Sequence, residues 1–272
     1  MKTNNFKELI AGVHKQFKEE AVLIKPARWQ GISTAGKPDL ETYELLNHSS
    51  TVILRSELLS HYREDIGPDL PWADDHFEER VCGQPLNPGL QWSKWRMGQG
   101  ADSFRLQDGT FNHNYMERLW PKYARQLDPQ EVASDYWEPQ ENPAISPRLG
   151  ILYAYGDLMD VVRLLAREPD TRQAYLPMWF PEDTGVVHRD RAPCSLGWHF
   201  IVRDNKLHMV YYLRSVDLVN HWRNDLYMAA RLLLWVLDEA RAINSDWLDI
   251  RPGSLTTHIT SFHCFRGNWH QI

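Results

Sequence analysis

Apolar residues recur at different periods along this chain, and the period predicts which element forms. Near the N-terminus they recur every three or four residues, the spacing of one helix face, which predicts an amphipathic helix over residues 5–20. Helical patterns also cover residues 157–167, which Pro169 follows, and residues 225–242, which are rich in Leu and Ala. The pattern therefore predicts a helix in each of these three segments.

Strands are predicted in the C-terminal half, where aromatic and β-branched residues cluster. The runs 197–202 and 207–213 are joined by the polar segment 203–206, which predicts a β-hairpin, and residues 255–265 are predicted to form a last strand. Helices and strands are interspersed without βαβ regularity, and neither an internal repeat nor a linker is apparent. We therefore expect one α+β domain over residues 1–272.

Two segments lack a clear period. Residues 64–100 are rich in Pro, Gly, Asp and Trp, and residues 126–148 contain four prolines. We expect both to be long loops, and long ordered loops often carry function.

Composition narrows the classes of function. The net charge of −6 argues against a general nucleic-acid binder, although one phosphate needs only a local arginine cluster. The three cysteines are too few for a disulfide framework or a cysteine-rich zinc site, and the twelve histidines lack ligand-like spacing, so we expect a cytoplasmic protein without metal. No signal peptide or membrane span is expected, because charges interrupt the N-terminus and no run approaches ~20 apolar residues.

Cys194 is the strongest candidate for chemistry. Most lone cysteines are small buried hydrophobes. However, Cys194 follows Pro193 at the entrance to the predicted hairpin, and a turn near Asp204 and Asn205 places it opposite Arg214. A nearby cation favours the reactive thiolate, so Cys194 is predicted to be a nucleophile.

The residues around this pair form a longer motif. Pro193-Cys194 is followed by Arg214-Ser215-x-Asp217 and then by Arg223-Asn224-Asp225. The motif resembles the thymidylate synthase superfamily, whose members attack C6 of a pyrimidine nucleotide with a thiolate and transfer a one-carbon unit to C5. Its uracil-specific enzymes usually carry Asn where this chain has Asp225. Asp is found in the cytosine-specific branch, the deoxycytidylate and cytidylate 5-hydroxymethylases.

The resemblance implies a fold, a partner and a cosubstrate. It is strong over residues 150–265 and implies a large twisted β-sheet packed with helices, with the sheet forming the interface of a homodimer. The one-carbon donor would be 5,10-methylenetetrahydrofolate, and the other substrate would be a nucleoside monophosphate.

The resemblance also implies phosphate contacts. Arg214 and Ser215 match the phosphate-binding pair of the family. Arg172 matches an arginine that reaches the phosphate of the neighbouring subunit, but Gln173 replaces the second arginine of that segment. Arg28 is a candidate for a loop arginine that closes over the phosphate.

Asp225 is the residue that indicates which base the protein recognises. A carboxyl group can accept a hydrogen bond from N4 of cytosine and, when protonated, donate one to N3. Burial raises the pKa of a carboxyl group, which makes a protonated form accessible. The alternative is that Asp225 or Asn224 caps the following helix.

The sugar contact and the proton-transfer group both depart from the family pattern. His263 matches the first residue of the family's His-x-Tyr, which binds the sugar 3′-hydroxyl, but Phe265 replaces the Tyr, so the choice between ribose and deoxyribose stays open. The family's Glu motif is absent. Glu79 is predicted as the general acid and base, with Glu78 as an alternative, and a solvated acidic cluster is the competing interpretation.

These features together predict a cytidylate or deoxycytidylate 5-hydroxymethylase. A methyltransferase, in which hydride replaces water in the last step, is the alternative within the class. A non-catalytic nucleotide-binding protein is the alternative outside it, and the presence of Cys194 argues against that function.

Overall fold

The computed structural model of the chain describes residues 1–29, 32–94, 105–111, 113–121, 156–184 and 192–272. Its helices are α1 (Phe6–Glu20), α2 (Leu59–Ile66), α3 (Trp72–Arg80), α4 (Leu90–Lys94), α5 (Tyr115–Leu119), α6 (Leu158–Arg167) and α7 (Trp222–Ile243). Its strands are β1 (Lys2–Thr3), β2 (Val22–Ile24), β3 (Arg28–Trp29), β4 (Ile32–Ser33), β5 (Thr42–Ile53), β6 (Tyr175–Pro177), β7 (Ser195–Arg203), β8 (Lys206–Asp217) and β9 (Arg251–Phe265).

A seven-stranded mixed sheet organises these elements into one domain. The strand order is β1-β5-β9-β8-β7-β6, and β2 also pairs with β5. The pairs β1/β5 and β8/β9 are parallel, and the other pairs are antiparallel. Helices pack on this large sheet, which confirms the expected fold class. Helix α7 is buried along most of its length and contacts both β8 and β9.

The β7–β8 hairpin confirms the prediction and sets the geometry of the site. Asp204 and Asn205 both have positive φ, 50° and 52°, as a two-residue type I′ turn requires. The register is regular from this turn up to Gly197, where an irregularity shifts it. The Arg214 N–H therefore donates to the Cys194 carbonyl at 2.9 Å, which places the two residues opposite each other as predicted.

The three predicted helices are present. Helix α1 buries one face that consists of Phe6, Leu9, Ile10, Val13 and Phe17. Helix α6 begins after Asp157, whose side chain accepts from the Asp160 N–H in a capping box. Helix α7 begins three residues before the predicted 225, since the Asp217 carboxylate accepts from the Val219 and Asn220 N–H groups and orders the preceding turn.

The segment 64–100 was predicted to be an irregular loop, and this prediction was wrong for much of its length. It contains the end of α2 and the whole of α3 and α4. Helix α3 has no clean apolar stripe because it buries His76 and Arg80 together with Ala73 and Phe77. The other predicted loop, 126–148, lies outside the described residues. None of the helices in the described ranges is long and apolar enough to cross a membrane.

Candidate active site

A cavity of about 370 Å³ opens where the C-terminal end of β8 meets α3 and the start of α7. Its volume lies within the range of small-molecule sites, ~300–1,000 Å³. Eight residues predicted to act in the site line it: Arg28, Cys194, Arg214, Ser215, Asp217, Asn224, Asp225 and His263. The fold therefore brings together residues that are up to 235 positions apart in sequence, from Arg28 to His263.

Cys194 and Arg214 are held together by the backbone. Cys194 is exposed in the cavity immediately before β7 begins. Nε of Arg214 donates to the Pro193 carbonyl at 2.7 Å, and Nη2 donates to the Ala192 carbonyl at 2.8 Å. These bonds fix a guanidinium beside the segment that carries the thiol, where its charge favours the thiolate.

Tyr115, to which no sequence motif pointed, lies against the backbone of Cys194. Its hydroxyl oxygen accepts from the backbone N–H of Cys194 at 3.1 Å and of Ser195 at 3.3 Å. Burial, followed by the charge on Cys194, raises the pKa of Tyr115, so the hydroxyl keeps its proton.

The parallel pairing of β8 with β9 builds the Ser215 side of the cavity. Oγ of Ser215 lies 3.3 Å from Nδ1 of His263, and Asp217 pairs with His263 across the two strands. Burial lowers the pKa of His263, so the ring is neutral at pH 7. Phe265 lines the cavity and packs edge-on against His263 with ring centroids 5.4 Å apart.

Asn224 and Asp225 are neighbours with different surroundings. Oδ1 of Asn224 accepts from the Asp69 N–H at 2.9 Å, and its Nδ2 donates to the Asp69 carboxylate at 3.0 Å. Asn224 thus ties α7 to the loop that precedes α3. No hydrogen bond or ion pair to the Asp225 carboxylate occurs among the described residues.

The structure excludes a helix-capping role for Asp225. Helix α7 is capped at His221, and Asp225 lies inside its first turn. Burial raises the pKa of Asp225 to about 7, and the charge of Arg80 opposes this rise. A carboxyl group with a raised pKa therefore lines the same cavity as the thiol.

Three predicted residues lie away from the cavity surface. The Glu79 carboxylate is behind the wall, 3.4 Å from Nδ1 of His76, and accepts from the Gln91 N–H at 3.3 Å. Glu78 is exposed and paired with Arg231. Arg172 is exposed beside the β7–β8 turn, in a surface depression that it shares with Arg203 and Asn205. The roles predicted for Glu79 and Arg172 stay predictions.

Aromatic rings line another part of the cavity. Trp29, Trp72 and Trp92 all border it, and flat apolar surfaces of this kind suit the stacking of a planar heterocycle. The abundance of Trp was the only sequence signal for them. No group of three or more His, Cys, Asp or Glu side chains suited to a metal ion occurs in the part of the chain that the structure describes.

Comparison with known proteins agrees with this arrangement. The "Putative thymidylate synthase" of Methanococcoides burtonii is 29% identical over 168 residues, which cover 61% of this chain and 68% of that protein. The protein of the same name from Methanosarcina barkeri is 29% identical over 158 residues, which cover 57% of this chain and 65% of that protein. The family model for thymidylate synthase matches residues 90–271, more than half of the chain, so the chain belongs to the thymidylate synthase family.

Proposed function

We propose that the protein is a folate-dependent one-carbon transferase that hydroxymethylates C5 of a cytidine monophosphate, either CMP or dCMP. The observation that carries the proposal is the Asp225 carboxyl group. It lines the same cavity as Cys194, has no protein hydrogen-bond partner among the described residues, and has a pKa raised to about 7. Family membership supports one-carbon chemistry at C5.

Cys194 begins the reaction in this proposal. Its thiolate adds to C6 of the base, which makes C5 nucleophilic toward the one-carbon unit. The guanidinium of Arg214 favours the thiolate and, with Ser215, binds the phosphate. The proton on C5 must then leave, and Glu79 is the candidate group for moving it, although its carboxylate is linked through His76 to the cavity-lining Arg80 and does not itself line the cavity.

The remaining contacts follow from the lining of the cavity. Arg28 would help to close over the phosphate, and His263 would contact the sugar. Trp72 and Trp92 would hold the pteridine ring of 5,10-methylenetetrahydrofolate, which when bound supplies a one-carbon unit at the oxidation level of formaldehyde. Phe265 has no hydroxyl to offer the sugar.

We also propose a homodimer that buries the sheet face opposite α7. Support comes from rings that lie together on that face. Tyr212 stacks on His258 with centroids 5.5 Å apart, and Tyr175 lies 6.3 Å from Tyr212. In such a dimer Arg172, which is exposed and outside its own subunit's cavity, would reach the phosphate in the partner's site.

The decisive test supplies methylenetetrahydrofolate with CMP, dCMP, UMP or dUMP in turn and identifies the products by mass spectrometry. We expect a 5-hydroxymethyl product from one or both cytidylates. A 5-methyl product would establish the methyltransferase alternative. The absence of any product, together with the absence of a covalent adduct with 5-fluoro-CMP and 5-fluoro-dCMP, would make the protein a nucleotide binder.

A further inference from the structure

Arg80, the last residue of α3, places a buried positive charge in the cavity wall. The residue is 7% exposed, yet it lines the cavity together with Asp225. Its Nε–H donates to Nε2 of His76 at 3.1 Å. Among the residues that the structure describes, no acceptor takes the four N–H donors of Nη1 and Nη2. These nitrogens are not among the fully buried polar atoms that lack a partner, so they are open to the cavity, where a ligand can supply acceptors.

Two residues behind the wall fix the direction of this guanidinium. Because Arg80 donates through Nε, His76 must accept at Nε2 and carry its proton on Nδ1, which faces the Glu79 carboxylate at 3.4 Å. Burial lowers the pKa of His76 to about 4, so this neutral form holds at physiological pH. The Arg80 guanidinium also lies over the Tyr115 ring, 5.0 Å from its centroid.

Arg80 and Asp225 line the same cavity without forming an ion pair in the described structure, and the charge of Arg80 acts on the Asp225 carboxyl group. Both residues also border a second, smaller cavity that is lined by Trp198 and Tyr211. The charged and titratable groups that act on the Asp225 carboxyl are Arg80, Tyr115 and Tyr211. A cation with unused donors and a carboxyl group with unused acceptors, both judged among the described residues, therefore line the same cavity.

We propose that Arg80 and Asp225 together select the base, with Arg80 donating to N3 of cytosine while Asp225 accepts from the N4 amino group. Glu79 and His76 are then positioning residues for Arg80. Uracil would place its N3–H against a donor and its O4 against an acceptor, so both contacts would fail. The inference rests on the proposed function, because it requires a cytosine nucleotide in this cavity.

The test measures dissociation constants by calorimetry without folate, so that binding is separated from turnover. The ligands are CMP, UMP and 3-deaza-CMP, in which a C–H group replaces N3 and the amino group is kept. We expect the native protein to prefer CMP over 3-deaza-CMP by about tenfold, the effect of one unpaired buried donor. Arg80→Met should bind the two within about twofold, and Arg80→Lys should keep part of the preference. An unchanged preference in Arg80→Met would overturn the inference.

A second experiment needs only the native protein and therefore does not depend on whether Arg80→Met folds. A guanidinium stays protonated at every accessible pH, so the preference for CMP over 3-deaza-CMP should persist from about pH 6 to about pH 9. If the preference instead disappears as Asp225 ionises near pH 7, then protonated Asp225 is the N3 donor and Arg80 is not. Tighter binding of UMP than of CMP would overturn both this inference and the proposed function. A CMP preference that is independent of N3 would overturn this inference alone.

Discussion

The cavity has two walls that are built in different ways. On the sheet wall, Arg214 is held by the carbonyls of residues 192 and 193, and its own N–H pairs with Cys194. On the helical wall, Arg80 is held by side chains: it donates a hydrogen bond to His76, and His76 in turn contacts Glu79. The sheet wall therefore depends on backbone register, whereas the helical wall depends on the packing of side chains.

The difference in how the two walls are built matches a difference in their proposed roles, which are catalysis for the sheet wall and recognition of the base for the helical wall. A hairpin register cannot slip by one residue without turning every side chain to the other face, so the pairing of Cys194 with Arg214 is fixed by the backbone. Side chains on a short helix can be exchanged without moving the backbone. We infer that the sheet wall performs the chemistry common to the family and that the helical wall, together with the start of α7, determines which base is used.

The largest expected effect is on the sheet wall. Cys194→Ser should abolish turnover, because a serine alkoxide is not accessible at neutral pH, while nucleotide affinity should change little. Single-turnover rates and calorimetry check the two parts. Cys82→Ser is the matched control, since Cys82 is exposed and does not line the cavity. A residual rate above a few per cent in Cys194→Ser would contradict the nucleophile assignment.

Arg214→Ala should have the next largest effect, weakening nucleotide binding and slowing turnover together. It removes a charge-assisted bond worth about 1.5–3 kcal/mol and the cation beside the thiol segment. Arg214→Lys keeps the charge but cannot make both carbonyl bonds, so it should recover part of the loss. The comparison of kcat with nucleotide Kd provides the check. A change in thermal stability alone would show that Arg214 acts only as a structural brace.

Asp225→Asn tests the role of the start of α7 in recognising the base. It should reduce the preference for cytidylates over uridylates by about tenfold. An amide can donate to O4 of uracil, whereas the carboxylate cannot, and one unpaired buried group costs about 1–3 kcal/mol. Because the amide can also flip, the switch should be incomplete. The ratio of kcat/KM values for CMP, dCMP, UMP and dUMP measures it. Asp238→Asn, an exposed change on the same helix, is the control. If the ratio of kcat/KM values for cytidylates and uridylates is unchanged in Asp225→Asn, then Asp225 does not recognise cytosine.

Glu79→Gln should have the smallest effect if Glu79 only positions Arg80 through His76. We then expect a loss of at most about tenfold in kcat with a narrower preference for cytosine, and a pH–rate profile that keeps its shape. General acid–base catalysis is worth about 10²–10⁴-fold. A loss of that size, with the base preference intact, would restore Glu79 as the proton-transfer group. Glu78→Gln is the matched neighbour, because Glu78 is exposed and paired with Arg231.

Sequence periodicity failed where polar side chains are buried. Helix α3 was missed because His76 and Arg80 occupy buried positions that an apolar pattern assigns to hydrophobic residues. Strand β5 was not predicted either, since Ser50 and Thr51 interrupt the apolar alternation. Their hydroxyls pair with Thr257 and Thr256 on the neighbouring β9. Such residues are explained by partners that are distant in sequence.

The hairpin register, the pairing of Cys194 with Arg214 and the resemblance to the family could be predicted from the sequence alone, because each depends on short spacings along the chain. Only the tertiary structure shows that Arg80 and Asp225 line one cavity, that Tyr115 contacts the Cys194 backbone, and that Glu79 lies outside the cavity lining. Tyr115 and Cys194 are 79 positions apart in sequence, and Arg80 and Asp225 are 145 positions apart, whereas the contact between Glu79 and His76 is local. The physical reason is that a buried polar group takes its role from the partner that packing brings to it, and packing between distant segments leaves no period in the sequence.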